Sequence, residues 1–203
     1  MSDVVATVAG TSVSTAEVDR RETELRASVL ASALPRPGTS EGRQLRRWLT
    51  QLLVTERVVA REAAERGVDD VGAPTEDDLL PDTPARLEIG SVAAYVLREP
   101  LARNLFEHVT AHVEVSEDAV AAYHVRNPHR FVEPVTVAGG WHRPAPPPSL
   151  DAVRTVIAAH LLASARRRAF RLWLDARRAD LVDLAPGYEH PGDPRQPDNT
   201  HRH

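Results

Sequence analysis

The stretch Glu41-Gly-Arg-Gln-Leu45-Arg-Arg-Trp48-Leu49-Thr-Gln-Leu52-Leu-Val54-Thr-Glu-Arg-Val58-Val59-Ala-Arg-Glu-Ala63-Ala-Glu-Arg66 decides the fold. Leu45, Trp48, Leu49, Leu52, Val59 and Ala63 fall on one stripe of a 3.6-residue period, and Leu53, Val54 and Val58 widen it. Gly67 follows as a C-terminal stop. The spacing predicts a helix over 41–66, about 39 Å long at about 1.5 Å per residue. A stripe that broad needs partners on more than one side, so this helix is expected to be the spine of the domain.

Moving outward, the strongest second signal is Ser149 followed by Leu150 to about Leu181. In this stretch Val153, Ile157, Leu161, Phe170, Trp173, Leu174 and Leu181 supply apolar surface. It predicts a long helix packed on the spine. At the other end Val4 to Val8 alternate, Ala9-Gly10-Thr11 can turn and Ser12-Val13 can return, which predicts a small hairpin. Ser14-x-x-Glu17 is a capping box, and Val18, Leu25 and Val29 then recur at helical spacing until Pro35 and Pro37-Gly38. Between the spine and the long helix, Val68 to Thr83 reads as an acidic loop broken by Gly72, Pro74 and Pro81. Two helices are expected over Ala85 to Leu97 and Leu101 to His112, divided at Glu99-Pro100. A third is capped by Ser116, carries Ala119, Val120 and Tyr123 inward, and ends at Asn127-Pro128, with Phe131 closing the unit.

The expected fold class is therefore mainly α: a helical domain with a short N-terminal β-hairpin and a long C-terminal helix packing back on it, which the resemblance given below makes chaperone-like. Residues 1–131 form the body, and 132–149, with Gly139-Gly140 and Arg143-Pro-Ala-Pro-Pro-Pro148, form an extended linker. Residues 150–184 complete the same domain, and 185–203 form a polar tail.

Composition removes many chemistries. The 203 residues contain no cysteine, so disulfides, thiolate metal sites and cysteine nucleophiles are excluded. All 25 basic residues are arginine, which excludes a lysine Schiff base and the lysine of a P-loop. Aromatics make up 4% of the chain, so the core must be built of aliphatic helix faces. A net charge of −4 gives no global attraction to nucleic acid or acidic membrane, so protein or peptide partners are expected. The first ten residues show no basic-then-apolar leader pattern and no stretch has the length of a membrane span, which predicts a cytoplasmic location.

Two segments carry a resemblance. Val5-Ala-Thr-Val-Ala-Gly-Thr-Ser-Val-Ser14, running into Thr15-Ala-Glu-Val-Asp-Arg20, resembles the opening of parvulin-type chaperones and trigger-factor-like peptide-binding domains. Val115-Ser-Glu-Asp-Ala-Val-Ala-Ala-Tyr-His-Val-Arg-Asn-Pro-His-Arg-Phe131 is similar to the helix that precedes the prolyl isomerase domain in that family. The sequence as a whole is also similar to small actinobacterial proteins. Where the family inserts an isomerase of about a hundred residues, a full domain by ordinary size rules, this chain has only Val132 to Ser149. The resemblance implies the helical peptide-binding module without isomerase activity. It marks Trp48, Leu52, Tyr123, Phe131 and Trp173 as candidates for contact with a polypeptide client.

The alternative lies in the histidines. His190, Asp193, Asp198, His201 and His203 form a proline-staggered cluster of imidazoles and carboxylates, a donor set that suits zinc or another transition metal. His108-x-x-x-His112 has the spacing of a two-ligand metal helix, but without the glutamate of His-Glu-x-x-His it does not imply hydrolysis. His124, His129 and His142 lie near the linker as further candidates. A solvated end and a surface histidine pair are the competing readings, and no organic cofactor is called for. Two functions thus stay open: a non-catalytic chaperone-like or assembly protein that binds polypeptide segments, and a metal-binding protein or metalloenzyme whose tail supplies ligands.

Overall fold

The computed structural model describes residues 3–29, 31–131 and 146–189. The hairpin is present as β1 (Val4–Val8) and β2 (Thr11–Ser14), paired antiparallel with Val8 opposite Thr11. Its turn, Ala9-Gly10, has positive φ at both residues, 49° and 81°, as a two-residue hairpin loop demands. Helix α1 (Thr15–Arg26) starts at the capping box, with Ser14 and Glu17 satisfying each other's backbone N–H groups. A single 3₁₀ turn (Ala31–Ala33) leads to α2 (Ser40–Arg66), capped by Thr39 and ended by Gly67 at φ 64°. Then come α3 (Glu76–Leu79), α4 (Thr83–Ile89), α5 (Ser91–Val96), α6 (Pro100–Thr110), α7 (Glu117–Arg126) and α8 (Leu150–Leu181). The last described element is β3 (Val182–Leu184), which pairs antiparallel with β1 to complete a sheet of order β2-β1-β3.

Helix α2 is the spine. It packs against α1, α5, α6, α8 and strand β1, and its Leu49, Leu52, Val54, Val58 and Val59 sit in the main core with Phe106 and Phe170. Helix α8 is about 48 Å long by its rise per residue and serves two cores. Phe170 and Leu174 enter the main one, whereas Val153 and Ile157 form a second, smaller core with Val120 of α7. The packing of α8 is therefore chiefly on α7, α4 and α6, and only in part on the spine. The expected contact with the spine is present, and the 32 residues of α8 reach α7, α4 and α6 as well.

Three other boundaries differ from expectation. Helix α1 stops at Arg26, and Val29, read as the next core residue, is 96% exposed. The helix expected over Ala85 to Leu97 is two helices, broken at Gly90, whose φ of 90° and ψ of 151° suit only a residue without Cβ. Helix α6 ends at Thr110, so His112 lies beyond it. The polar tail is docked at its start: Arg47 Nε donates to Gly187 O at 3.0 Å, and Gln51 Nε2 to Tyr188 O at 2.9 Å. No helix among the described residues is long and apolar enough to cross a membrane.

Candidate functional site: an apolar cleft beside the spine

The cleft follows from where α1 ends. Arg21, Glu24, Leu25 and Ser28 recur at three and four residues, so they line one edge of the α1–α2 junction, and Val29 stands at the lip where the helix has already stopped. Opposite them α2 offers Trp48, Leu49 and Leu52, one turn apart, and α5 contributes Tyr95. The floor is sealed, since Leu49 and Leu52 are each 1% exposed. The walls are half-buried: Trp48 and Tyr95 meet edge to face with ring centroids 5.6 Å apart. The cleft is open to solvent and has a volume of about 370 Å³.

The position of Trp48 is fixed by a hydrogen bond from its indole Nε1 to Ser91 Oγ at 3.3 Å. Charges sit only on the rim. Arg21 is neutralised by Glu56 at 2.7 Å, with Glu24 at 3.9 Å. Burial pushes the Glu56 carboxyl above its ordinary range despite Arg21. Arg98 lies over the Tyr95 ring at 5.0 Å and pairs with no carboxylate among the described residues. An apolar trough with one unmatched cation at its edge suits an apolar group with an acidic neighbour.

The five client-contact candidates do not converge. Trp48 and Leu52 are in the cleft, Trp48 as wall and Leu52 as floor. Tyr123 and Phe131 instead cover the α7–α8 core, where their rings and that of His160 form a triangle with centroid separations of 5.5–6.5 Å. Trp173 packs on Phe170 and under Arg66, whose guanidinium lies 5.4 Å from its ring. Leu25 and Tyr95, which the structure adds to the cleft, were legible only as ordinary core positions at helical spacing.

A second, polar cavity of about 390 Å³ opens between α4 and α8. Its serine, histidine and glutamate do not form a nucleophilic relay. The Ser164 hydroxyl donates to Glu88, Arg167 Nε donates to the same carboxylate at 2.7 Å, and His160 Nε2 pairs with the Tyr123 hydroxyl at 3.2 Å. A relay needs the imidazole on the nucleophile's hydroxyl, and here each group is committed elsewhere. Burial first, then Arg130 and Arg167, hold the His160 pKa below the usual histidine value, with Glu88 and Asp82 opposing.

The histidine candidates separate as well. His108 and His112 are both exposed, with the end of α6 between them. His124 Nε2 pairs with Pro148 O at 2.8 Å, tying α7 to the segment that leads into α8. Among the described residues no three His, Asp or Glu side chains are grouped as a metal site requires. His142, His190, Asp193, Asp198, His201 and His203 lie outside the described residues.

Comparison with known families matches residues 4–41 to one described as a family of unknown function (DUF7158). The match takes in the hairpin, α1 and the entry into α2, the segment that carries one wall of the cleft. Neither the curated proteins nor the solved structures gave a match.

Proposed function

We propose that this chain is a non-catalytic polypeptide-binding module, a chaperone-like or assembly protein that holds an apolar segment of a partner in the cleft between α1, α2 and α5. The observation that carries the reading is the cleft itself: Leu25, Trp48 and Tyr95 from three elements leave an apolar trough, with a nearly fully exposed Val29 at its lip. Apolar surface gathered in a concavity is the usual mark of a binding site. The resemblance of residues 5–20 and 115–131 to parvulin-type chaperones points the same way.

The test is fluorescence anisotropy with labelled dodecapeptides of alternating leucine and acidic residues. Saturable binding is expected, weakened about tenfold or more by Leu25→Asp or Val29→Asp, since losing one apolar contact of about 1.5–3 kcal/mol is worth that factor. Val29 is exposed, so the far-UV melt of its variant should move little, whereas Leu25 packs against the main core and its variant is compared only where it stays folded. Absence of saturable binding, or binding indifferent to both substitutions, would refute the proposal.

A further inference from the structure

Behind the Trp48–Ser91 hydrogen bond lies another cavity, of about 250 Å³, between the start of α5 and the last turns of α8. Ser91 belongs to this cavity and Trp48 to the apolar cleft, so their hydrogen bond joins a lining residue of one concavity to a lining residue of the other. Arg171, Asp175 and Arg178, at three and four residues on α8, line it together with Leu174, Gly90 and Ser91. Arg171 donates to the backbone oxygen of Glu88 at 3.0 Å, and Arg178 donates to Gln51 Oε1. Both partners are neutral, and neither guanidinium forms an ion pair with a carboxylate among the described residues.

That distinguishes these two arginines from most of the others near them. Arg166 is matched by Glu107, Arg167 by Glu88 and Arg177 by Asp180. Burial holds the Arg178 pKa below the ordinary arginine value, and the charge of Asp175 only partly restores it. A guanidinium kept from water without a carboxylate is an unmet electrostatic demand. The half-buried Arg178 and the exposed Arg171, against the one carboxylate of Asp175, leave the cavity one positive charge in excess, which suits a single carboxylate better than a doubly charged phosphate. Two guanidiniums also offer the paired N–H donors that a planar carboxylate accepts.

We propose that the Arg171–Arg178 cavity receives the C-terminal carboxylate of a polypeptide whose last apolar side chains lie in the adjoining cleft. The inference rests on the cleft reading above and deepens it: the partner is recognised by its free end. Asp175 then acts as a selectivity element, since it disfavours a second negative charge.

The deciding experiment uses the full chain and one apolar hexapeptide made in two forms, with a free C-terminal carboxylate and with a C-terminal amide, each titrated by isothermal calorimetry. The free acid is expected to bind about tenfold or more tightly, the worth of a charged hydrogen bond. Arg171→Gln should erase the difference while leaving the affinity of the amide unchanged. Arg178→Gln should do the same, and because Arg178 also holds Gln51, the exposed Arg171 provides the variant that does not depend on packing. Equal affinity of acid and amide overturns the inference and leaves the cleft proposal intact. Failure of both peptides to bind overturns the cleft proposal and this inference together. Inorganic phosphate that competes as well as acetate at equal ionic strength would overturn the assignment to a single carboxylate.

Discussion

Replacing Glu88 with glutamine tests how α8 is held to the rest of the domain. The Glu88 carboxylate accepts from Ser164 and from Arg167, both on α8, and the Arg167 side chain is only 7% exposed against 29% for Glu88. Glutamine keeps the shape and removes the charge, leaving Arg167 with the backbone oxygen of Leu79 at 3.3 Å. Removing one partner of a buried ion pair costs about 3–5 kcal/mol, and partial exposure of Glu88 brings the expected loss to about 2–3 kcal/mol. In urea that is a midpoint shift of about 1 M for a slope of about 2 kcal/mol per M, followed by circular dichroism. The pH dependence gives an independent reading. Burial pushes the Glu88 carboxyl up, but the hydrogen bonds from Ser164 and Arg167 and the nearby arginine charges outweigh it, so its pKa lies below the ordinary 4.5. A carboxyl depressed on folding stabilises above its unfolded value and loses that contribution as pH falls through the folded one. The gap between wild type and Glu88→Gln should therefore narrow once pH drops below the unfolded value. The paired substitution Glu88→Met with Arg167→Met should recover most of the loss, because an apolar pair leaves no stranded charge. A glutamine variant within about 0.5 kcal/mol of wild type at neutral pH, the range of ordinary surface changes, would refute the argument.

Gly90→Ala should lower stability by about 1–3 kcal/mol through the dihedral alone, since a Cβ there meets nothing within 4 Å; a thermal melt checks this, and an unchanged midpoint would contradict the assigned break between α4 and α5. His160, depressed by burial and two arginines, contributes stability that is complete above the unfolded value of 6.5 and is lost as pH falls through the folded value. The melting temperature of wild type should thus fall between about pH 7 and pH 5 more steeply than that of His160→Gln. Equal slopes for the two proteins would place His160 outside the pH response.

The helices whose limits could be read from the chain are those whose ends are local chemistry. Ser14, Thr39, Ser116 and Ser149 each accept from a backbone N–H of the first turn, and a side-chain cap needs only the residues beside it. The limits that sequence reasoning misplaced depend on partners far away. Val182-Asp-Leu184 is too short to show a period, and it becomes a strand because Ala9 N–H meets Leu181 O and Ala185 N–H meets Val5 O across the sheet. Gly90 lies inside the stretch expected to form one helix, and only the turn from α4 onto α5 requires its positive φ. The cleft was half legible for the same reason. Trp48 and Leu52 share a stripe on one helix, but their neighbours Leu25 and Tyr95 are brought to them by tertiary packing. Tyr123, Phe131 and Trp173 have the same aromatic character and were drawn elsewhere by the length of α8.

The pairing of β1 with β3 sets a clock on the birth of this domain. Thr7 and Asp183, opposite each other in the sheet, are 176 residues apart in the chain. At a synthesis rate of about 5–20 residues per second, β1 waits about 10–35 s for the strand that covers its second edge. Throughout that interval the nascent hairpin carries an open row of backbone donors and acceptors, with Val5 and Val8 beside it, a template for wrong pairing with other chains. The cost of closing a sheet with the far end of the longest helix is a period of vulnerability on the ribosome that no property of the finished fold reveals.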